Sequence, residues 1–305
     1  MANRLSGQEA YKKLENRFRT AYYGGGLPES LQKTGLAAVA DASATFLGHP
    51  EFVNLKVGET RKATAIVSFL DIRGFTKLAF ALENKELLRI IQALTETAVN
   101  GVKDGGGYIG EFTGDGVMAY FGDSNTTNED ATLAALETTS LLFKTVKEIV
   151  NPELKDAGIE PIRLAGGMEY GEVLWSRIGV GVSSQVKPIS EATFLAGKLA
   201  TRPFTDTWQC KIGAELAAWL PDQFKTKARA YSFELNGRSY SRELYTFDWA
   251  AFATQTLQNQ TILEQTIRSK RAAASAAAVL SGTRVVVPDP SARSGPRPLK
   301  DQPFF

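Results

Sequence analysis

Two aspartates are the residues of this sequence best placed to do chemistry. Asp71 closes the apolar run Thr64-Ala65-Ile66-Val67-Ser68-Phe69-Leu70, and Asp115 lies in Thr113-Gly114-Asp115-Gly116, between the short apolar runs 108–112 and 117–121. A nearly unbroken apolar run of this length reads as a buried strand, and two short runs around a Gly-Asp-Gly turn read as a hairpin. If the hairpin pairs beside the first strand, both carboxylates converge on one sheet edge. Like charges that close repel unless something positive lies between them, and a divalent cation with oxygen ligands meets that need. The same pattern also fits two unrelated turn aspartates. Beside Asp71, the turn Ile72-Arg73-Gly74-Phe75-Thr76 leads straight into a helix. Backbone N–H groups at a helix N-terminus bind phosphate. Carboxylates for a metal next to a phosphate cradle point to a metal-bound triphosphate.

Composition excludes several other chemistries. The chain has 305 residues, 43% of them hydrophobic and 22% charged, ordinary for a globular protein with a substantial core. Lys and Arg number 35 against 33 Asp and Glu, a net charge of +2 that argues for neither a nucleic acid nor a membrane partner. A single cysteine, Cys210, rules out a disulfide framework and a cysteine zinc cluster. The single histidine, His49, stands in Leu47-Gly48-His49-Pro50, a loop sequence, and is expected at the surface. No apolar stretch is long enough to span a membrane and no signal-peptide core follows Met1, so the expected location is cytoplasmic.

The elements that must position Asp71 and Asp115 follow from periodicity. Residues 1–60 form a helical lead-in: Tyr11, Leu14, Phe18 and Tyr22 recur at helical spacing, and a second apolar stretch covers 36–46. After the Asp71 strand, Leu87, Ile91, Leu94, Ala98 and Val102 keep one apolar stripe, which Asp104-Gly105-Gly106-Gly107 ends. Gly105 to Gly110 spells G-x-G-x-x-G, but a helix precedes it and a strand follows, the reverse of a dinucleotide site. Thr126 and Glu129 have capping-box spacing for a helix carrying Leu133, Leu136, Leu141 and Val146. Runs 162–170 and 173–178 predict a strand pair turning at Gly171. A helix over 191–199 and closing strands 231–235 and 243–247 around Asn236-Gly237 follow. Residues 250–280 are helical, and 281–305 form a proline-rich flexible tail. The order strand, helix, hairpin, helix, strand is an α+β sandwich with helices on one face of a mainly antiparallel sheet.

At this point the sequence resembles a known family. Phe69-Leu70-Asp71-Ile72-Arg73-Gly74-Phe75-Thr76, then Gly106-Gly107 ahead of Phe112-Thr113-Gly114-Asp115-Gly116-Val117-Met118-Ala119, then Gly171-Glu172-Val173 with Ile178-Gly179, are similar to the class III nucleotidyl cyclase homology domain, over residues 61–249. The resemblance implies a ferredoxin-like βαββαβ core with additional strands. It implies head-to-tail homodimers with sites built from both subunits. It also implies two Mn²⁺ or Mg²⁺ ions held by Asp71, Asp115 and the carbonyl of Ile72, with substrate contacts over Phe69 to Thr76. The ribose 3′-hydroxyl of a nucleoside triphosphate attacks the α-phosphate and pyrophosphate leaves.

The sequence also departs from the family. The family's Asn and Arg on the helix donated by the second subunit fall here at Phe194 and Lys198. Lys still neutralises phosphate but lacks the bidentate fork, and Phe cannot hydrogen-bond a ribose. Either another group serves, or the chain is an inactive copy that senses nucleotide. Arg73, Lys187, Lys198 and Arg202 are the candidates for phosphate contact. The base-reading positions hold Glu111 and Lys187. Glu accepts and Lys donates, so together they favour a ring N–H beside a carbonyl, as in guanine or uracil; otherwise both are solvated surface charges. Phe194 at a normally polar place shrinks the pocket toward uracil. A compact chain of this kind resembles the bacterial pyrimidine cyclases of Pycsar antiphage defence. The expected reaction is then UTP to cyclic UMP, a signal for a separate effector protein, the alternatives being the same reaction on GTP, CTP or ATP.

Overall fold

The computed structural model describes residues 5–23, 48–181, 183–201 and 208–280. The second apolar stretch, 36–46, the tail 281–305 and Arg202 lie outside the described residues. The elements run α1 (Gly7–Tyr23), β1 (Thr60–Arg73), α2 (Phe75–Ala81), α3 (Asn84–Asp104), β2 (Gly107–Thr113), β3 (Gly116–Phe121), α4 (Asn128–Thr145), a π-helical turn (Val146–Val150) and α5 (Asn151–Asp156). They continue with β4 (Arg163–Val180), β5 (Ser183–Ile189), α6 (Glu191–Thr201), β6 (Gln209–Gly213), α7 (Ala214–Ala217), β7 (Lys225–Leu235), β8 (Arg238–Phe247) and α8 (Trp249–Leu280).

Seven strands form one sheet in the order β2-β3-β1-β4-β6-β8-β7, with β5 paired to β4. Its first four strands, with α3 and α4 as connections, have ferredoxin-like order. All pairings but one are antiparallel, the exception being β4 with β6. β1 lies between β3 and β4 with buried packing on both faces, which is why its central run from Ala65 to Leu70 is apolar but for Ser68. Ile66, Leu70 and Ile72 face α3 and α4 in the larger core, with Leu94, Val102, Leu136 and Phe143. Ala65 and Val67 face the opposite side, with Tyr120, Val173, Trp175 and the α6 residues Ala192 and Ala196. Helices therefore cover both faces of the sheet, not one. α1 and α8 add an outer layer through Leu14, Phe18, Tyr22, Leu263 and Ile267.

Three local expectations are corrected. Gly171 is no turn: β4 runs unbroken for 18 residues, and Gly171 pairs with Ala65 across β1. Glycine there serves close approach, since a Cβ would meet that of Ala192 on α6 at 3.1 Å. The helix cap is Thr127, one residue later than expected. Its hydroxyl accepts from the Asp130 N–H at 3.1 Å and donates to the Asp130 carboxylate at 2.8 Å. Asn259 interrupts α8 with non-helical dihedrals and recaps its second half by accepting from the Ile262 N–H. The β7–β8 hairpin turns at Asn236-Gly237, both at positive φ, as a two-residue primed turn requires.

Candidate functional site

Pairing of β1 with β3 brings the two aspartates together. Leu70 is opposite Val117, which places Asp71 beside Gly116 and thus beside the Gly114-Asp115 turn. Gly114 takes φ +74° at the first turn position, where glycine carries no steric cost. A Cβ on Gly116 would lie 2.7 Å from the Leu70 carbonyl oxygen and 3.5 Å from Asp71 Oδ1, so the bare glycine keeps the Asp71 carboxylate uncovered. Burial pushes the Asp71 carboxyl up to about 6; the Asp115 charge adds to this and the Arg73 guanidinium opposes it. Asp115 is raised as well, burial being the first cause. The source of that burial is visible: Asp115 edges a cavity walled by Leu70, Ile72, Leu94, Val117 and Leu164.

The donor set suits a hard cation. Two carboxylates share a poorly solvated corner where each disfavours the ionisation of its neighbour, and a cation would relieve both effects. Among the described residues no three metal-ligating side chains cluster. Mg²⁺ is commonly held by one or two carboxylates completed by water and substrate phosphates, so a two-carboxylate corner is sufficient.

Cationic side chains border this corner. Arg73 Nη1 lies 4.0 Å from Asp71 Oδ2, and the same guanidinium donates to the Ala200 carbonyl near the end of α6. Directly across the β1–β4 pairing from Arg73 is Arg163. Two like charges opposite one another on a sheet repel, and an anion between them would reverse that term. The sequence reading missed Arg163: it opens a strand 90 positions downstream, and only the register reveals what it faces. Gly74, at φ +82°, caps the seven-residue α2; Phe75 is half-buried and Thr76 exposed. Phe69 packs toward α6, and Ile72 is buried in the larger core.

Glu111 and Lys187 form a second group. They are ion-paired to each other and partly buried, rather than separately solvated. Glu111 pairs with Met118, and Met118 with Phe69, which sets Glu111 two strands from β1 and roughly 12 Å from Asp71 on the same sheet face. Phe194 and Lys198 form a third group, on the outer stripe of α6. One chain thus gathers the aspartates with Arg73 and Arg163, and separately the Glu111–Lys187 pair.

His49 corrects another expectation. It is buried, not at the surface, with its ring 4.6 Å from Phe52, 4.7 Å from Tyr108 and 5.2 Å from Trp175. Nε2 bonds the Gly122 carbonyl at 2.8 Å and Nδ1 accepts from the Glu51 N–H at 3.3 Å, a pattern that fits the neutral ring. Burial lowers its pKa accordingly. The glycine and proline that mark a loop say nothing of the aromatic cage closing over it.

No protein-family model matches the chain. A cytidylate cyclase of Escherichia coli is 28% identical over 156 residues, half of this chain and 35% of that protein. A cytidylate cyclase of Staphylococcus aureus is 28% identical over 186 residues, 58% of this chain and 43% of that one. The chain thus spans well under half the length of these curated relatives. Among solved structures, the adenylyl cyclase CyaB from P. aeruginosa superposes with TM-score 0.53 at 24% identity, covering 62% of this chain and 95% of that one. The guanylyl cyclase Cya2 gives TM-score 0.53 at 20% identity, over 62% and 93%. These likenesses and the strand order agree: the chain carries the class III nucleotidyl cyclase catalytic fold.

Proposed function

We propose that this protein is a class III nucleotidyl cyclase that converts UTP to 3′,5′-cyclic UMP and pyrophosphate. The observation that carries the reading is the Asp71–Asp115 corner: two mutually destabilised carboxylates beside an Arg73–Arg163 pair. Such a corner favours divalent cations on one side and phosphate on the other. Asp71, Asp115 and the Ile72 carbonyl would hold two Mg²⁺ or Mn²⁺ ions. When bound, such ions acidify a hydroxyl and stabilise charge developing on phosphate oxygens.

The chain's own residues do the rest. The 3′-oxygen bonds to the α-phosphorus as the bond to the β-phosphate oxygen breaks; the hydroxyl proton passes to solvent and pyrophosphate departs. Arg73 and Arg163 neutralise the phosphates that leave. Lys198, exposed on α6, meets the phosphates from a second subunit, since the reading places each site between two copies of the chain. Glu111 accepts from the uracil N3–H and Lys187 donates to the neighbouring carbonyl oxygen. In the free protein this pair satisfies itself, and the base edge replaces that contact. Three of the four curated relatives are named cytidylate cyclases and the fourth an adenylate cyclase; the first three support a pyrimidine substrate. A cyclic pyrimidine nucleotide fits a signal read by a separate effector, as in antiphage defence.

A second reading, a nucleotide-sensing dimer without turnover, is favoured by Phe194 and Lys198 at the family's Asn and Arg places. Incubation with Mn²⁺ and each of the four triphosphates separates the two. The cyclase reading expects a cyclic nucleotide and pyrophosphate; the sensor reading expects bound, unchanged triphosphate.

A further inference from the structure

Phe194, in the first turns of α6, presents its ring to solvent, 66% exposed. The helix that displays it is held at both ends and along its sheet-facing side. Ser190 accepts from the Thr193 N–H at 3.0 Å, and Arg242 is ion-paired to Glu191, with one contact at 3.0 Å. Ala192, Ala196 and Ala200 pack on the sheet, and the bare α-carbon of Gly167 lets the helix press against β4. Arg73 holds the far end through the Ala200 carbonyl. The exposed stripe is Glu191, Phe194 and Lys198. Residues four apart on a helix are neighbours, so positions 194 and 198 lie one turn apart on the same exposed stripe.

What precedes this stripe indicates its use. Lys187 lies near the end of β5, and only Ser190 separates β5 from α6. The Glu111–Lys187 pair can read the edge of a planar base but offers nothing to its face. Seven residues on from Lys187, after Ile189 and Glu191, the same unit presents an aromatic ring to water, followed one turn on by a cation. A group with an edge of donors and acceptors, a flat face and a phosphate is a nucleotide.

We propose that Phe194 is the base-stacking residue of the nucleotide site, its ring lying on the face of the pyrimidine whose edge Glu111 and Lys187 read. This rests on the cyclase reading and adds to it a role for the residue at which the sequence departs most from its family. The pre-fixed helix lowers the ordering cost of the contact.

The test compares UTP with inorganic triphosphate, which has no base, by calorimetry in Ca²⁺. Phe194→Ala is expected to weaken UTP binding roughly 5- to 150-fold, equivalent to ~1–3 kcal/mol per stacked base, and to leave inorganic triphosphate unchanged. Phe194→Tyr keeps a ring and is expected to restore UTP binding. Phe194→Trp is expected to show fluorescence quenching by UTP and none by inorganic triphosphate. Unchanged UTP binding by Phe194→Ala, equal loss for both ligands, or an unquenched Phe194→Trp would overturn the proposal. Product analysis with wild-type protein judges the cyclase reading separately, because these binding measurements need no turnover.

Discussion

At the scale of single residues, the Asp71 corner sets stability against chemistry. A carboxyl whose pKa is raised by burial and a neighbouring charge is costly to ionise in the fold. Each pKa unit corresponds to about 1.4 kcal/mol. Asp71→Asn is therefore expected to stabilise the metal-free protein by ~1–3 kcal/mol at pH 7.5 in urea titrations, while abolishing cyclic nucleotide formation. Loss of stability together with activity would mean that the carboxylate serves the fold. Glu169 gives a second prediction. It is buried on β4, where its carboxylate accepts from the Tyr170 N–H at 2.9 Å and the Leu216 N–H at 3.0 Å, and burial pushes it up to about 7. The folded state thus binds a proton that the unfolded chain releases near pH 4.5. Stability should fall as pH rises from about 4.5 through 7 and level off above, and Glu169→Gln should flatten that limb. An unaltered slope in the variant would show that another group carries it. Asp71 and Asp115 were legible in the sequence because a buried strand ending in Asp and a Gly-Asp-Gly hairpin are local signals. Arg163 and the His49 cage were not, because both depend on which distant strand lies alongside.

At the scale of elements, α6 is the piece whose placement the site needs. It crosses the sheet face above Gly167, where a Cβ would run into the Ala196 carbonyl and lie 2.6 Å from the Ala200 nitrogen. Both contacts are backbone, so neither can swing aside. Gly167→Ala is expected to lower stability by about 1–3 kcal/mol, in the range of other overpacked cores, and to reduce turnover with it. A variant as stable as wild type would mean that the helix is not pressed to the strand. The apolar run of β1, the stripe of α3 and the 191–199 helix were readable because each buries a face at its own period. The length of β4 was not. Gly171 carries a turn residue's name but performs a packing task, and only the helix above it distinguishes the two. β5 is mostly polar and buries little, and β6 has only five residues, so neither left a signal. The second helical layer on the sheet could be inferred only afterwards, from a β1 sequence too apolar to have a wet side.

At the scale of the whole molecule, the described residues of one chain hold the aspartates and the Glu111–Lys187 pair in separate places, and the proposed reaction joins them across two copies. Mixing shows this directly. Asp71→Asn and Lys198→Ala proteins should each be inactive alone. Together they should regain about a quarter of wild-type activity, because half of randomly assorted dimers are mixed and each mixed dimer has one intact site. A mixture as inactive as its parts would place the whole site within one chain. No described helix is long and apolar enough to cross a membrane. The central claim is that the two-aspartate corner drives cyclisation of a pyrimidine triphosphate. The measurement that tests it most directly is incubation of the purified chain with Mn²⁺ and an equimolar mixture of ATP, GTP, CTP and UTP, with mass identification of every product. The account predicts cyclic UMP as the main product, absent from the Asp71→Asn and Asp115→Asn proteins. Cyclic nucleotide made equally well by those variants, or none made by the wild type, would contradict it.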